Sequence, residues 1–305
     1  DQFINVTSKA AVASYKFIGK KNKIAADKAA VDSMRKELNN LEIDGKIVIG
    51  EGELDLAPML YIGEKVGTNN GTEIDIAVDP LEGTTFAANN LPGALSVIAI
   101  TEKNNLFHSP ETYMEKISAK VKEKGVIDLD YSVKENIFNL SDYLNKKPEN
   151  MTACVMDRPR HKKIINDLNK LGVNIKLITD GDVSGALLVT EDKYNVDIFL
   201  GIGGGPEGVL ASAALDAFNC FFQGRFLFDT NEDKIRAKKM GINNLTKKYE
   251  LNEIVKGDSI FCATGITSGD LVSGIKIENN EFISETLVTH KSTGLKKIIK
   301  KVVNR

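Results

Sequence analysis

Ile74-Asp75-Ile76-Ala77-Val78-Asp79-Pro80-Leu81-Glu82-Gly83-Thr84 is an apolar run that turns abruptly acidic. Residues 74–78 have the length and composition of a strand, and Pro80 has no N–H for a ladder, so the spacing predicts a strand that ends there. Asp79 and Glu82 then lie side by side in a tight turn at a strand's carboxyl end, where open α/β sheets bind ligands. Gly83 lets the backbone come close, and Thr84 can begin a helix with its hydroxyl in the same space. Two carboxylates and a hydroxyl converging at a turn repel one another unless a positive charge lies between them. A hard divalent cation is the simplest candidate; the alternative is a turn whose Asp and Glu face water.

Outward from this run, apolar stretches of strand length recur at 46–49, 95–100, 152–156, 175–178, 196–202 and 260–263. They are near-continuous, as expected of strands covered on both faces. Amphipathic helices are predicted between them at 27–41, with Ala30, Val31, Met34 and Leu38 on one stripe, and at 160–171 and 207–218. The alternation indicates an α/β layered protein. The polar stretch 145–150 is the expected boundary between an N-terminal half, 1–146, and a C-terminal half, 147–305.

Further acidic groups follow other strands. Gly50-Glu51-Gly52-Glu53-Leu54-Asp55 succeeds 46–49, with glycines that let backbone and carboxylate approach a metal or phosphate; a solvated loop is the alternative. Glu207 lies in Gly203-Gly204-Gly205-Pro206-Glu207-Gly208, after the strand 196–202. Gly203, Gly205 and Gly208 also satisfy G-x-G-x-x-G, with Asp229 about 20 residues on, which is the pattern of a dinucleotide site. Glu207 would repel a pyrophosphate at that helix start, and a metal-ligand Glu accounts for the same residues better. Asp27 and Lys23 precede the first long helix; locally they read as an N-cap and a surface lysine.

The 305 residues are 42% hydrophobic and 27% charged, a globular composition. Lys+Arg number 40 against 42 Asp+Glu, so no basic field draws the chain to nucleic acid or anionic lipid, and neither is expected as a partner. Three separated cysteines, Cys154, Cys220 and Cys262, imply buried thiols in a reducing compartment such as a cytoplasm. The three histidines form no short-spaced metal pair, so oxygen ligands are expected for any cation. No run reaches the ~18 apolar residues of a membrane span. The sequence opens on Asp1 rather than Met, as expected of a trimmed or processed chain.

With these residues in place, the sequence resembles the class II fructose-1,6-bisphosphatases, within the superfamily of lithium-sensitive, metal-dependent phosphatases that includes inositol monophosphatases. The superfamily signature D-P-[IL]-[DE]-G-[ST] stands at 79–84. Subfamily motifs follow in order: Ile49-Gly50-Glu51-Gly52-Glu53, the run 57–67, Tyr113-Met114-Glu115-Lys116, Pro159-Arg160-His161, Asp180-Gly181-Asp182, Pro206-Glu207-Gly208-Val209 and the run 263–270. The resemblance covers almost the whole chain and implies an αβαβα sandwich. It also implies metal ligation by Asp27, Glu51, Asp79, Glu82 and Glu207. Glu82, Gly83 and Thr84 would hold the scissile phosphate, and Tyr113, Arg158, Pro159, Arg160, Asp180, Gly181, Asp182 and Gly204 the rest of a sugar bisphosphate. Arg158 stands where relatives carry Lys, which keeps the charge but changes its geometry.

The implied reaction is hydrolysis of the 1-phosphate of fructose 1,6-bisphosphate by in-line attack of water. Two or more Mg²⁺ or Mn²⁺ ions, roughly 3.5–4 Å apart, would assist. Thr84 would orient the water, with Asp27 and Lys23 near it. A bisphosphatase that also accepts sedoheptulose 1,7-bisphosphate, an inositol monophosphatase-like enzyme and a nucleotide-binding module using the Gly203–Gly208 loop are the alternatives. A homodimer or homotetramer is expected from the resemblance. Thr85 occupies a position that varies in the family. The segment after Gly224-Arg225-Phe226 and the end at Arg305 are shorter than usual, as expected if loops are trimmed or residues are missing from the sequence.

Overall fold

The computed structural model describes residues 1–51 and 59–303. Contacts divide the chain into two compact units, residues 1–108 with 255–305 and residues 109–254. The boundary expected at 146/147 is therefore corrected: it falls inside the second unit. The polar stretch there only joins a helix to a strand, and the chain re-enters the first unit at Val255, a return that composition does not mark.

In chain order the first unit begins with α1 (Gln2–Tyr15), α2 (Lys23–Asn39), β1 (Ile43–Ile49), β2 (Lys65–Val66), β3 (Thr72–Glu82), α3 (Thr84–Asn89) and β4 (Leu95–Glu102). The second unit holds β5 (Tyr113–Ala119), α4 (Val133–Leu144), β6 (Thr152–Met156), α5 (Lys162–Lys170), β7 (Asn174–Ile178) and α6 (Asp182–Leu187). It continues with β8 (Ile198–Gly204), α7 (Gly205–Ala217), β9 (Phe221–Leu227), α8 (Asn231–Lys239), β10 (Lys248–Glu250) and α9 (Leu251–Ile254). The chain then completes the first unit with β11 (Ser259–Gly265), β12 (Lys276–Glu278), β13 (Glu281–His290) and β14 (Leu295–Val303).

The protein is thus α/β, with one sheet per unit. The first sheet runs β12-β13-β11-β4-β3-β1-β2, with β14 also on β13; the second runs β10-β9-β5-β8-β6-β7. Parallel pairs are β1–β3, β6–β7 and β6–β8, and the rest of the ladders are antiparallel. Helices α1 and α2 lay Ala10, Ala11, Ala30, Met34 and Leu38 on Ile47, Ile76, Val78 and Ile98 of the first sheet. In the second, Ile198 and Leu200 face α4 and α5 while Phe199, turned the other way, lies against Gly185 of α6. Coverage on both faces is why strands such as β6 read as continuous apolar runs, whereas β7, the run at 175–178, is half-exposed at the edge of its sheet.

Two local expectations change. The strand of the opening run continues through Pro80 instead of ending before it. Its register on β4 slips between Asp79↔Val97 and Glu82↔Leu95, three steps against two. Pro80 thus lies in a bulge, where its missing N–H forfeits no ladder bond. The first long helix starts at Lys23 because the Asn22 side chain accepts from the Ala25 N–H at 3.0 Å. Asp27 is therefore inside α2 and is not its N-cap.

Candidate active site

In the first unit, β1 and β3 are parallel neighbours with Ile49 opposite Ala77, so both chains leave the sheet at the same edge. Two residues further on stand Glu51 and Asp79. The Glu51 N–H donates to the Leu60 carbonyl at 2.9 Å. Gly50 is required there, since a Cβ would overlap that same carbonyl. Glu53 and Asp55 of this acidic cluster lie outside the described residues. Asp79 Oδ1 accepts from the Leu81 N–H at 3.1 Å, an Asx turn that shapes the bulge. The bulge brings Glu82 back into register, with its side chain buried. Gly83 then takes φ +78°, a left-handed conformation costly for other residues, and α3 starts at Thr84.

Helix α2 packs on α3, and the backbone of the preceding loop ties to it through Gly19 N–H to Ala87 O and Lys21 N–H to Ala88 O, both at 2.9 Å. This anchoring carries Lys23 to the start of α3, where its ammonium donates to the Thr85 hydroxyl at 2.7 Å. Asp27 follows one helical turn later, and burial raises its carboxyl above the usual range. Glu51, Asp79, Glu82, Gly83 and Thr84 are thus presented by the β1 and β3 strand ends, and Lys23 reaches the residue next to Thr84.

The second unit gathers the residues expected around the sugar and its other phosphate. The β8 strand ends at Gly204, and a 3₁₀ turn, Pro159–His161, is clamped beside it. The buried His161 ring bridges the two, its Nδ1 to the Met156 carbonyl at 2.7 Å and its Nε2 accepting from the Ile202 N–H at 2.8 Å. Those partners assign the neutral tautomer with hydrogen on Nδ1. Arg160 donates through Nε to the Ile202 carbonyl at 2.9 Å and places its guanidinium 4.8 Å from the Tyr113 ring centroid. Arg158 lies 3.9 Å from Asp180, and Gly181, at φ +83°, turns the chain into α6 at Asp182.

Asp182 is buried, one carboxylate oxygen bound by the ammonium of Lys116 and the other, Oδ1, without a hydrogen-bond partner among the described residues. Glu207 sits in the first turn of α7, where burial foremost, and Asp182 to a lesser degree, raises its carboxyl while Lys116 opposes them. A cavity of about 460 Å³ is lined by Tyr113, Gly204, Pro206, Glu207, Asp229 and Thr230, among others.

The glycines of 203–208 now have a specific use. A Cβ on Gly203 would overlap the Asp182 carboxylate and one on Gly204 the Glu207 carboxylate, while one on Gly208 would overlap the Met114 sulfur. Gly203 and Gly204 make room for two carboxylates, which occupy the region a dinucleotide pyrophosphate would need. Sequence reading passed over Lys116, His161 and Thr85. Lys116 and His161 stand in quoted motifs, and a lysine within the strand 113–119 was the one signal available for the first.

All proposed cation ligands are carboxylates, the donor class suited to Mg²⁺ or Mn²⁺. Among the described residues, no three His, Cys, Asp or Glu side chains converge as a complete metal centre. Four of the expected ligands, Asp27, Glu51, Asp79 and Glu82, belong to the first unit and Glu207 to the second.

Comparison with known proteins bears on the whole chain. The profile of the family described as "Bacterial fructose-1,6-bisphosphatase, glpX-encoded" matches residues 1–303. "Fructose-1,6-bisphosphatase 1 class 2" of Escherichia coli strain K12 is 42% identical over 301 residues, covering 94% of this chain and 89% of that protein. "D-fructose 1,6-bisphosphatase class 2/sedoheptulose 1,7-bisphosphatase" of Synechocystis is 40% identical over 312 residues, covering 94% and 90%. A solved inositol monophosphatase from Anabaena is 13% identical with a TM-score of 0.32, over 62% of this chain and 70% of that one. A match that runs from the first residue to residue 303, at about two residues in five with curated relatives, makes this chain a member of the class 2 fructose-1,6-bisphosphatase family.

Proposed function

We propose that this chain hydrolyses the 1-phosphate ester of D-fructose 1,6-bisphosphate, giving fructose 6-phosphate and inorganic phosphate. The observation that carries the reading is the cluster at the end of β8. There the Arg160 guanidinium, bonded to Ile202, lies over the Tyr113 ring, with Arg158 and Asp180 in the same unit. A planar guanidinium suits a second phosphate, which an inositol monophosphate lacks. Asp182 Oδ1, buried and lacking a donor among the described residues, suits a sugar hydroxyl.

In the reaction a water oxygen bonds to phosphorus as the bond from phosphorus to the sugar oxygen breaks, and the leaving oxygen takes up a proton. Thr84 orients the water; a threonine hydroxyl without a base beside it is a weak nucleophile, so no phosphoenzyme is invoked. Lys23, held on Thr85, keeps a positive charge near the phosphoryl group. Asp27, Glu51, Asp79, Glu82 and Glu207 would hold two or more Mg²⁺ or Mn²⁺ ions, which when bound offset phosphoryl charge and make water a better nucleophile at neutral pH. The free, buried cysteines fit work in a reducing compartment such as the cytoplasm. A homodimer or homotetramer is the assembly to test by light scattering.

The deciding experiment measures phosphate release from a panel of fructose 1,6-bisphosphate, sedoheptulose 1,7-bisphosphate and inositol 1-phosphate. It is run with Mg²⁺, Mn²⁺, added Li⁺ and chelator. Metal-dependent turnover of fructose 1,6-bisphosphate, lost with chelator, is expected. Preference for sedoheptulose 1,7-bisphosphate would reassign the substrate, and NAD binding without phosphatase activity would overturn the assignment.

A further inference from the structure

Lys116 lies in the middle of β5 and is 1% exposed. Such a position in a covered sheet usually takes an apolar residue, because an ammonium must be desolvated there and a buried ion pair is seldom more stable than well-packed hydrophobes. The residues directly opposite it on both neighbouring strands are glycines, Gly201 on β8 and Gly224 on β9, where an added Cβ would meet His161 and Met114 respectively. Its stem passes Gly208 of α7. Its ammonium then reaches two acceptors, the Asp182 carboxylate and the Gly204 carbonyl, the latter at 2.6 Å.

These acceptors stand at the beginnings of two helices. Asp182 is the first residue of α6, and Gly204 is the residue from which α7 starts, three positions before Glu207. A single cation therefore fastens both helix starts to the strand between them.

We propose that Lys116 is a positioning residue of the catalytic centre, with Asp182 as its counter-ion. Through the Gly204 carbonyl it fixes the β8–α7 turn so that Glu207 presents its carboxylate in the one orientation that a divalent ion can use. The proposal rests on the phosphatase reading above and on Glu207 as a ligand.

The test is calorimetric titration of Mn²⁺ into substrate-free enzyme, beside steady-state kinetics, for wild type, Glu207→Gln, Lys116→Gln and the double variant Lys116→Met/Asp182→Leu. The double variant removes both partners of the Lys116–Asp182 pair together, so neither is left without the other, and it keeps the test open if Lys116→Gln does not fold. Each Lys116 variant is expected to unfold cooperatively and to bind Mn²⁺ about tenfold more weakly, and Lys116→Gln, which keeps Asp182, is expected to hold KM for fructose 1,6-bisphosphate within about threefold of wild type at saturating Mn²⁺. A folded double variant with wild-type Mn²⁺ affinity, alongside a Glu207→Gln enzyme that has lost it, would show that Lys116 only stabilises the sheet. Wild-type Mn²⁺ affinity in Glu207→Gln itself would instead overturn the ligand assignment on which the proposal stands.

Discussion

The Lys23 ammonium donates to the Thr85 hydroxyl at 2.7 Å, across 62 residues of sequence. This bond places a cation beside Thr84, the residue assigned to the attacking water. It also gives Thr85 a use at a position where neither composition nor family pattern pointed to one.

Thr85→Val, which keeps the shape and removes the acceptor, is expected to lower kcat about fivefold, as the loss of roughly 1 kcal/mol of hydrogen bonding implies, with KM unchanged. Thr84→Ala should lower kcat by about 100-fold or more, since it acts on the reacting water. Steady-state kinetics at saturating Mn²⁺ separate the two. A change confined to KM in Thr84→Ala would make it a binding residue.

Arg160→Lys keeps the charge and discards the guanidinium's contact with the Tyr113 ring and the Nε bond to Ile202. KM for fructose 1,6-bisphosphate should rise about tenfold, equivalent to ~1.4 kcal/mol, with kcat little changed. Fructose 1-phosphate, which lacks the second phosphate, should register no difference. An equal effect on both substrates would move Arg160 away from the second phosphate.

Gly204 has φ −66° and ψ 145°, values open to any residue, so Gly204→Ala tests space alone. The added methyl overlaps the Glu207 carboxylate, whose side chain can swing away without unfolding the protein. A normal melting temperature with turnover at least tenfold lower is the expected pair of results from differential scanning fluorimetry and phosphate release. Wild-type turnover would release Glu207 from its assigned position.

Burial holds the His161 imidazole below its usual range, and the same is true of His108. The unfolded chain therefore binds these protons more readily than the folded protein. Their contribution to stability is fully present above about pH 6.5, the unfolded value, and is lost as pH falls below it. The melting temperature should drop on acidification from pH 7 toward 5.5. His161→Gln should flatten that slope, with His108 responsible for what remains; an unaltered slope would remove His161 from the account.

Cys262 is buried in the first sheet and its thiol is pushed up to about 12. Thiolate is the reactive form, so a disulfide-exchange reagent at pH 8 should leave Cys262 unlabelled in native protein and label it fully in guanidinium. Rapid native labelling at Cys262, read by mass spectrometry of its peptide, would contradict this burial.

Much of the site was legible along the chain because its determinants are local. Apolar runs that end in Gly-Glu, Asp-Pro and Gly-Pro-Glu mark strands that stop at acidic turns, and the α/β class follows from their alternation with amphipathic helices. Asp79, Glu82, Thr84 and Glu207 were singled out as candidates by that logic, and the order of the motifs supplied the family. What periodicity does not contain is which distant segments meet. Asp27 read as a cap until Asn22 took that place, and Pro80 read as a strand end until the slip against β4 absorbed it in a bulge. The boundary at 146/147 gave way to a chain that leaves the first unit after His108 and returns at Val255. The Lys116–Asp182 pair spans 66 residues, and only the tertiary structure brought it about, because desolvating an ammonium is tolerable solely where a carboxylate and a carbonyl from other strands and helices converge on it.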